Sequence, residues 1–407
     1  MPKSDVKLLK VDASANNNKF YNFHDNGDNT FTVTYGRVGT DGVNKTYEMW
    51  YWDELYKKKT DKGYKDVTGN TREVVGYIPV SDAEINKLLN AFLENSRQFV
   101  SNFTETNMLT QAAQDEVQDY INRLAKNMDV KNPDNLTLNA FNKDLLKIFE
   151  YIPRKMSSVQ SGLAQHLDDR QRIIKREQDL LDNIVALSKS APKQGATQTI
   201  EDAFGFTLTN CSSAEIDFIK DRLQKDGFYR YKFNRAWKIN TPAREDGFKE
   251  YLENNKLKDN DKNVKLYWHG TGTENILSIM STGLKIRPSN VSTTGSMYGN
   301  GIYSAPNADK ASGYTSIAGS YWKGGDKNVA YMFLNAVITG KQYDVKDNYE
   351  TYGGITIRNL DGDKFSSADL GYHSVYAHAG GYLKRDEVIV YNENQVACRY
   401  LIEFKTN

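Results

Sequence analysis

Hydrophobic positions change their period twice along the chain. From Lys19 to about Val67 they alternate over short stretches. Phe20-Tyr21-Asn22-Phe23 leads into a polar turn from His24 to Asn29 that contains Asn26-Gly27, and Thr30-Phe31-Thr32-Val33-Thr34-Tyr35-Gly36-Arg37-Val38 follows. Two β-rich runs around an Asn-Gly turn predict a hairpin. Strand-like sequence returns from Lys45 to Trp52, and a basic stretch begins at Lys57-Lys58-Lys59 and reaches Lys65. A small antiparallel β module is expected here.

From Ser81 to about Ser190 the period becomes helical. Ser81-Asp82-Ala83-Glu84 has the form of a helix cap, and Ile85, Leu88, Leu89, Phe92 and Leu93 then recur at spacings of three and four. Val117, Tyr120, Ile121 and Leu124 repeat the pattern. So do Leu145, Leu146, Ile148 and Phe149, up to a break at Pro153, and a last helix is expected over 158–190. Four or more amphipathic helices predict an α-helical bundle. The stretch from Ala191 to Thr197 reads as a linker. Beyond Thr199 the pattern is mixed α and β, rich in Gly and Tyr, with strands expected over Glu387 to Tyr391 and Arg399 to Phe404. The chain thus reads as multidomain α+β, divided at 1–78, 79–192 and 199–407.

Composition narrows this picture. Across 407 residues, 53 Lys+Arg oppose 52 Asp+Glu, so no global field draws the chain to nucleic acid or anionic lipid. Nucleic-acid binding would need a local patch. The longest nearly uninterrupted apolar run, Ala330 to Ile338, is far shorter than the roughly 20 residues of a spanning helix, so no membrane partner is expected. Met1-Pro2-Lys3-Ser4-Asp5 leads into no hydrophobic signal core, which favours an intracellular location. Cys211 and Cys398 with five scattered histidines give neither a disulfide framework nor zinc-ligand spacing, so no metal is expected.

Candidate chemistry collects in the last segment. Gly299-Asn300-Gly301 alone is weak evidence, since glycine serves any tight turn, and neither a Rossmann nor a Gly-Lys-Ser/Thr phosphate motif is present. The ordered set is more specific: Tyr267-Trp268-His269-Gly270-Thr271, Gly299-Asn300-Gly301-Ile302-Tyr303-Ser304-Ala305, Lys310-Ala311-Ser312-Gly313-Tyr314 and Asp386-Glu387-Val388-Ile389-Val390-Tyr391. It resembles the catalytic domain of the poly(ADP-ribose) polymerase family. Tyr35-Gly36-Arg37 resembles the signature of that family's Trp-Gly-Arg module, and the bundle containing Phe149-Glu150-Tyr151-Ile152-Pro153 resembles its helical regulatory domain.

The resemblance implies a catalytic triad of His269, Tyr303 and Glu387. It implies NAD+ as substrate, held by His269, Gly270, Thr271, Asn275, Tyr303, Lys310 and Tyr314, with Lys285 or Arg287 near the adenosine end. Nicotinamide leaves as a neutral group, so positive charge grows on the ribose, and a carboxylate such as Glu387 can stabilise it and orient or deprotonate the acceptor. For the β module the resemblance implies contact with DNA ends through Tyr35 and Arg37, and the neighbouring Lys57, Lys58 and Lys59 supply a basic cluster. The bundle is implied to cover the NAD+ pocket until DNA loosens it.

Plainer readings stand beside these. His269 could be a satisfied core histidine, Glu387 an edge charge, Tyr303 and Tyr314 core aromatics, Tyr35 and Arg37 a cross-strand pair, and the lysines a solvated face. Tyr35 replaces a Trp, and Ala311 stands where many family members carry a Ser that bonds the nicotinamide amide. The expected protein is a monomeric, DNA-break-activated ADP-ribosyltransferase that modifies protein side chains, itself included, and elongates poly(ADP-ribose). Its expected place is nuclear in a eukaryote and cytoplasmic or nucleoid in a bacterium. Transfer of a single ADP-ribose to protein or nucleic-acid ends, and a non-catalytic DNA-end-binding scaffold, remain as alternatives.

Overall fold

A computed structural model of the chain describes residues 3–70, 77–106, 108–130, 132–188, 198–286, 297–318, 328–380 and 383–406. The expected linker at 191–197 and the candidate Arg287 lie outside them. The chain forms two compact units, Met1–Val74 with Arg97–Ala191 and Val75–Ser96 with Pro192–Asn407.

The first unit opens with strands β1 (Val6–Asp12), β2 (Asn17–Asp25), β3 (Thr30–Arg37) and β4 (Val43–Glu48), then helix α1 (Trp52–Thr60) and a short β5 (Lys65–Asp66). Neighbours in the sheet order β4-β3-β2-β1-β5 are antiparallel. Alternation along β2 and β3 puts Tyr21, Phe23, Phe31 and Val33 on one face, where they pack with Leu8, Trp52 and Leu55. The strand expected to reach Trp52 ends at Glu48. Trp52 and Leu55 lie three residues apart on one helical face, and burying both favours helix over a longer strand. Lys57, Lys58 and Lys59 therefore fill the last turn of α1, the end a helix dipole makes hospitable to cations.

Helices α2 (Ala83–Phe103), α3 (Gln111–Lys126), α4 (Asn135–Tyr151), α5 (Val159–Gly162) and α6 (Asp169–Ser188) follow, and the division between units falls inside α2. Asp82 caps α2 by accepting the Glu84 and Ile85 amides, and Asp134 with Thr137 forms a capping box on α4. The single helix expected over 158–190 is broken. A Cβ on Gly162 would meet the Met156 sulfur at 2.9 Å, and Asp169 turns the chain by accepting the Gln165 and His166 amides.

A polar clamp joins the β module to the segment after α4. Asn18 donates to the Arg154 carbonyl at 2.6 Å, Arg37 Nε donates to the Met156 carbonyl at 3.1 Å, and the Val159 amide donates to Asn16 Oδ1 at 2.9 Å. Beneath it, the buried Arg154 guanidinium bonds the fully buried Glu177.

The second unit adds α7 (Ile200–Phe204), β6 (Thr207–Asn210), α8 (Ser213–Lys225), β7 (Lys232–Asn240), α9 (Pro242–Asn254), β8 (Val264–Gly270), α10 (Ile276–Thr282), β9 (Ile302–Ser304), α11 (Ala308–Ser312), β10 (Val329–Ile338) and β11 (Gln342–Val345). It closes with β12 (Thr351–Tyr352), β13 (Ile355–Thr356), α12 (Gly362–Ser367), β14 (Ser374–Ala377), β15 (Glu387–Val390) and β16 (Val396–Lys405). One sheet runs β6-β7-β16-β10-β8 and a second β11-β14-β15-β9. The long apolar run, interrupted only by Asn335, belongs to β10, which lies between β16 and β8 with both faces covered. Reciprocal hydrogen bonds of 2.9 and 2.8 Å between the Trp268 and Ala305 backbones tie β8 to the chain leaving β9. That tie brings the two motif strands together.

Candidate active site

The site is assembled where β8 and β9 end and β15 begins, beside α11. Buried Trp268 anchors β8, its indole donating to Asp226 at 2.7 Å, so that His269 emerges next to β9. His269 Nδ1 lies 3.0 Å from the Tyr303 carbonyl. A carbonyl can only accept, so Nδ1 carries the proton and Nε2 is left as the acceptor. Burial lowers the pKa of the ring, more than its bond to Tyr303 restores, and keeps it neutral. A neutral imidazole with a free acceptor suits a sugar hydroxyl.

Gly270 is required by space. A Cβ there would stand 1.8 Å from the Ala311 carbonyl oxygen, so the β8 backbone and α11 approach more closely than any other residue permits. Thr271 accepts from Asn275 at 3.3 Å, just before α10. Tyr314 follows α11 with its ring about half exposed, as an aromatic wall for a planar ligand requires. Burial raises its pKa, with a smaller push from Glu387.

Tyr303 pairs with Ile389 across β9 and β15, a register that sets the motif strands side by side. Its hydroxyl donates to the Gly299 carbonyl at 2.7 Å and accepts the Tyr298 amide at 2.9 Å. Burial drives its pKa far up. The hydroxyl is committed to holding the 298–303 turn, and the ring and carbonyl are what Tyr303 gives the site.

Glu387 opens β15 and is buried, with Oε1 2.6 Å from the Lys310 ammonium. Burial raises its pKa and Lys310 pulls against that rise without cancelling it. Asn307 caps α11 by accepting the Lys310 amide at 2.9 Å, which fixes the lysine's origin. The arrangement is one carboxylate of heightened basicity, one ammonium, a neutral imidazole and a close backbone passage. Together they can stabilise a cationic ribose and take up a proton from an acceptor.

The structure does not gather every expected residue at this point. Lys285 is paired with Glu393 at 2.6 Å, and the same carboxylate accepts the Ile286 amide, so Lys285 serves a local brace. In the β module, the Tyr35 ring stacks on Tyr21 at 5.2 Å, Lys59 sits 3.7 Å over Tyr21, and Arg37 donates to Met156 and twice to Asn16. Burial lowers the Lys59 pKa. Lys57 and Lys58 are exposed. Two residues that sequence reasoning left without a role, Asp386 and Tyr376, meet beside Glu387 at 2.7 Å. Asp386 lay inside a quoted motif, whereas no spacing rule connects Tyr376 to it.

Comparison with known proteins places both ends of the chain in known families. Residues 213–406 match the poly(ADP-ribose) polymerase catalytic domain, and residues 4–71 match the WGR domain. A "putative poly [ADP-ribose] polymerase-like 100L" of Invertebrate iridescent virus 6 is 32% identical over 192 residues, which cover 46% of this chain and 92% of that protein. The human "protein mono-ADP-ribosyltransferase PARP3" is 27% identical over 200 residues, covering 41% of this chain and 32% of that protein. Human "poly [ADP-ribose] polymerase 2" is 30% identical over 168 residues, covering 36% of this chain and 27% of that protein.

Proposed function

The chain belongs to the poly(ADP-ribose) polymerase family and is an NAD+ ADP-ribosyltransferase, and from that premise we propose that it responds to DNA ends, modifies protein side chains including its own, and elongates the product through Glu387. The observation that carries the reading is the buried Glu387 carboxylate, raised in pKa and bonded to Lys310, beside a neutral His269. As nicotinamide departs, Glu387 accepts a hydrogen bond from a ribose hydroxyl and offsets the growing positive charge. The leaving group needs no proton, so one carboxylate suffices. The same carboxylate then draws the proton from the acceptor, a task its raised pKa favours. His269 Nε2 holds a second hydroxyl, Gly270 gives backbone groups to the nicotinamide amide, and Tyr314 covers its ring.

DNA dependence draws its support from the first unit, where a module matching the WGR domain is clamped to the segment after α4. DNA ends seated on the module would change the strain on that segment and release the helical region's restraint on the enzyme. A place in the DNA-damage response, in a nucleus or a nucleoid, follows from that reading. The test is NAD+ consumption by wild type and Glu387→Gln, each with and without 5′-phosphorylated nicked duplex. Turnover confined to wild type with DNA is expected. Equal, negligible turnover in all four samples would sink the catalytic reading, and turnover that ignores DNA would sink only the regulatory one. Transfer of a single ADP-ribose is the second reading, favoured by the similarity to a protein named a mono-ADP-ribosyltransferase. Product length on gels, before and after nuclease, separates the two.

A further inference from the structure

Glu387 is the first residue of β15, so its position depends on the hairpin arriving from β14 as much as on the strand that leaves. Asp386 stands at the base of that hairpin. One of its carboxylate oxygens accepts the Tyr376 hydroxyl at 2.7 Å and the other accepts the Ala379 amide at 2.6 Å, so both grip the opposite arm. His378 extends the tie outward: its amide donates to the Val345 carbonyl at 2.8 Å and its ring lies 2.7 Å from Asp344.

The backbone at Arg385 and Asp386 reaches Lys310. Lys310 Nζ is 3.0 Å from the Arg385 carbonyl, 3.4 Å from the Asp386 carbonyl and 2.6 Å from Glu387 Oε1. An ammonium has three donors, and these three acceptors share them. Hairpin closure therefore determines where the ammonium sits, and the ammonium determines where the carboxylate sits. A general base must be held within about 0.5 Å of its productive position, and a displacement of about 1 Å can cost 10²-fold in rate.

We propose that Asp386 is a positioning residue: by closing the β14–β15 hairpin it holds the Lys310 ammonium against Glu387 and so places the catalytic carboxylate. This rests on the reading of Glu387 given above. Among the described residues, Tyr298, Tyr303 and Tyr314 also act electrostatically with Glu387 and Asp386 acts on Lys310, and none of them replaces the lysine.

The experiment uses the full chain with 5′-phosphorylated nicked duplex and follows kcat, KM for NAD+ and the pH profile. Asp386→Ala is expected to lower kcat about 10- to 100-fold while KM moves less than about threefold. Its acidic limb should move to higher pH, because Lys310 no longer draws the Glu387 pKa down. Asp386→Asn keeps an oxygen for the Ala379 amide and should recover most of the rate. Tyr376→Phe, which removes one grip and spares the fold, should show a smaller loss with the same pH shift. A kcat for Asp386→Ala within about twofold of wild type, or a loss with an unmoved acidic limb that Asn does not recover, overturns the proposal. Glu387→Gln runs alongside. If it is as active as wild type, the reading of Glu387 fails; if it is inactive while Asp386→Ala and Tyr376→Phe are unaltered, the positioning role alone fails.

Discussion

Two buried glutamates in this chain meet opposite fates. Glu387, in the second unit, is bonded to Lys310 and keeps a pKa above the usual carboxylate range, because burial outweighs the lysine. Glu177, in the first unit, is more deeply buried, yet its pKa is lowered: burial pushes it up, but Arg154 and Arg176, both bonded to it, more than offset that push. Glu387, facing one ammonium, keeps spare basicity, whereas Glu177 is held ionised by two guanidinium groups. A buried carboxylate left under-compensated can do chemistry, and one fully compensated can only hold structure.

Exchanging each glutamate for glutamine is the strongest way to break this contrast. Glu177→Gln leaves Arg154 buried without a counter-charge and should cost about 3–5 kcal/mol of unfolding free energy in the first unit. Glu387→Gln should lower turnover by about 10² to 10⁴ and change stability by no more than about 1 kcal/mol. Urea unfolding and NAD+ turnover on both variants decide the matter, and a catalytic loss with intact stability at Glu177 would erase the distinction. The pH dependence has matching signs. Glu177 has a depressed folded pKa, so its stabilisation is present above the unfolded carboxylate value of about 4.3 and is lost as pH falls through the folded value. Glu387 is raised, so its ionisation penalises folding, and that penalty is complete only above its folded pKa.

A second intervention removes the cation that, among the described residues, is paired with Glu387. Lys310→Met should lower kcat by about 10², at least as much as Asp386→Ala, and move the acidic limb upward, since the pull that restrains the Glu387 pKa is gone. An unmoved limb would mean that Lys310 acts on bound NAD+ and leaves Glu387 unaffected. Smaller still is the effect at the clamp. Arg37→Ala should cost about 1–3 kcal/mol of first-unit stability through its lost bonds to Met156 and Asn16. If Arg37 also binds phosphate, the salt slope of DNA binding falls by about one; Lys57→Gln or Lys58→Gln, at exposed positions, should each lower that slope with no stability change.

The sequence made the catalytic half the more legible one. His269, Tyr303, Lys310 and Glu387 come from four separate segments, but each sits in a short motif whose backbone geometry is locally determined, such as the turn pinned by Tyr303 or the passage that only Gly270 permits. The division of labour inside those motifs was less visible. Tyr303 carries a motif position yet spends its hydroxyl on its own turn, and Lys285 spends its charge on Glu393. In the first unit, period-2 alternation foretold β2 and β3 but not α1, because Trp52 and Leu55 bury one helical face within a run that also reads as strand. The clamp was invisible for a simple reason: Asn18 and Arg154 are 136 residues apart and neither belongs to a pattern.

The subtlest test of the comparison lies at Ala311, which the family resemblance sets opposite a Ser of many members. Its carbonyl is pressed against Gly270, the residue proposed to hold the nicotinamide amide, and its buried methyl brings no hydroxyl there. The neighbouring Ser312 does not compensate, because its hydroxyl donates to the Asp309 carbonyl at 2.8 Å. Ala311→Ser should therefore restore one hydrogen bond, worth about 0.5–1.5 kcal/mol, and tighten binding of a nicotinamide-like inhibitor a few-fold to about tenfold. Calorimetric titration of both proteins measures it. A serine left without a ligand would bury an unpaired hydroxyl, so the same substitution should slightly lower the melting temperature of the free enzyme and raise it with inhibitor bound. Unchanged affinity would show that a water already fills the donor's place, and the site would then be as fully compensated at its amide end as Glu177 is at its charge.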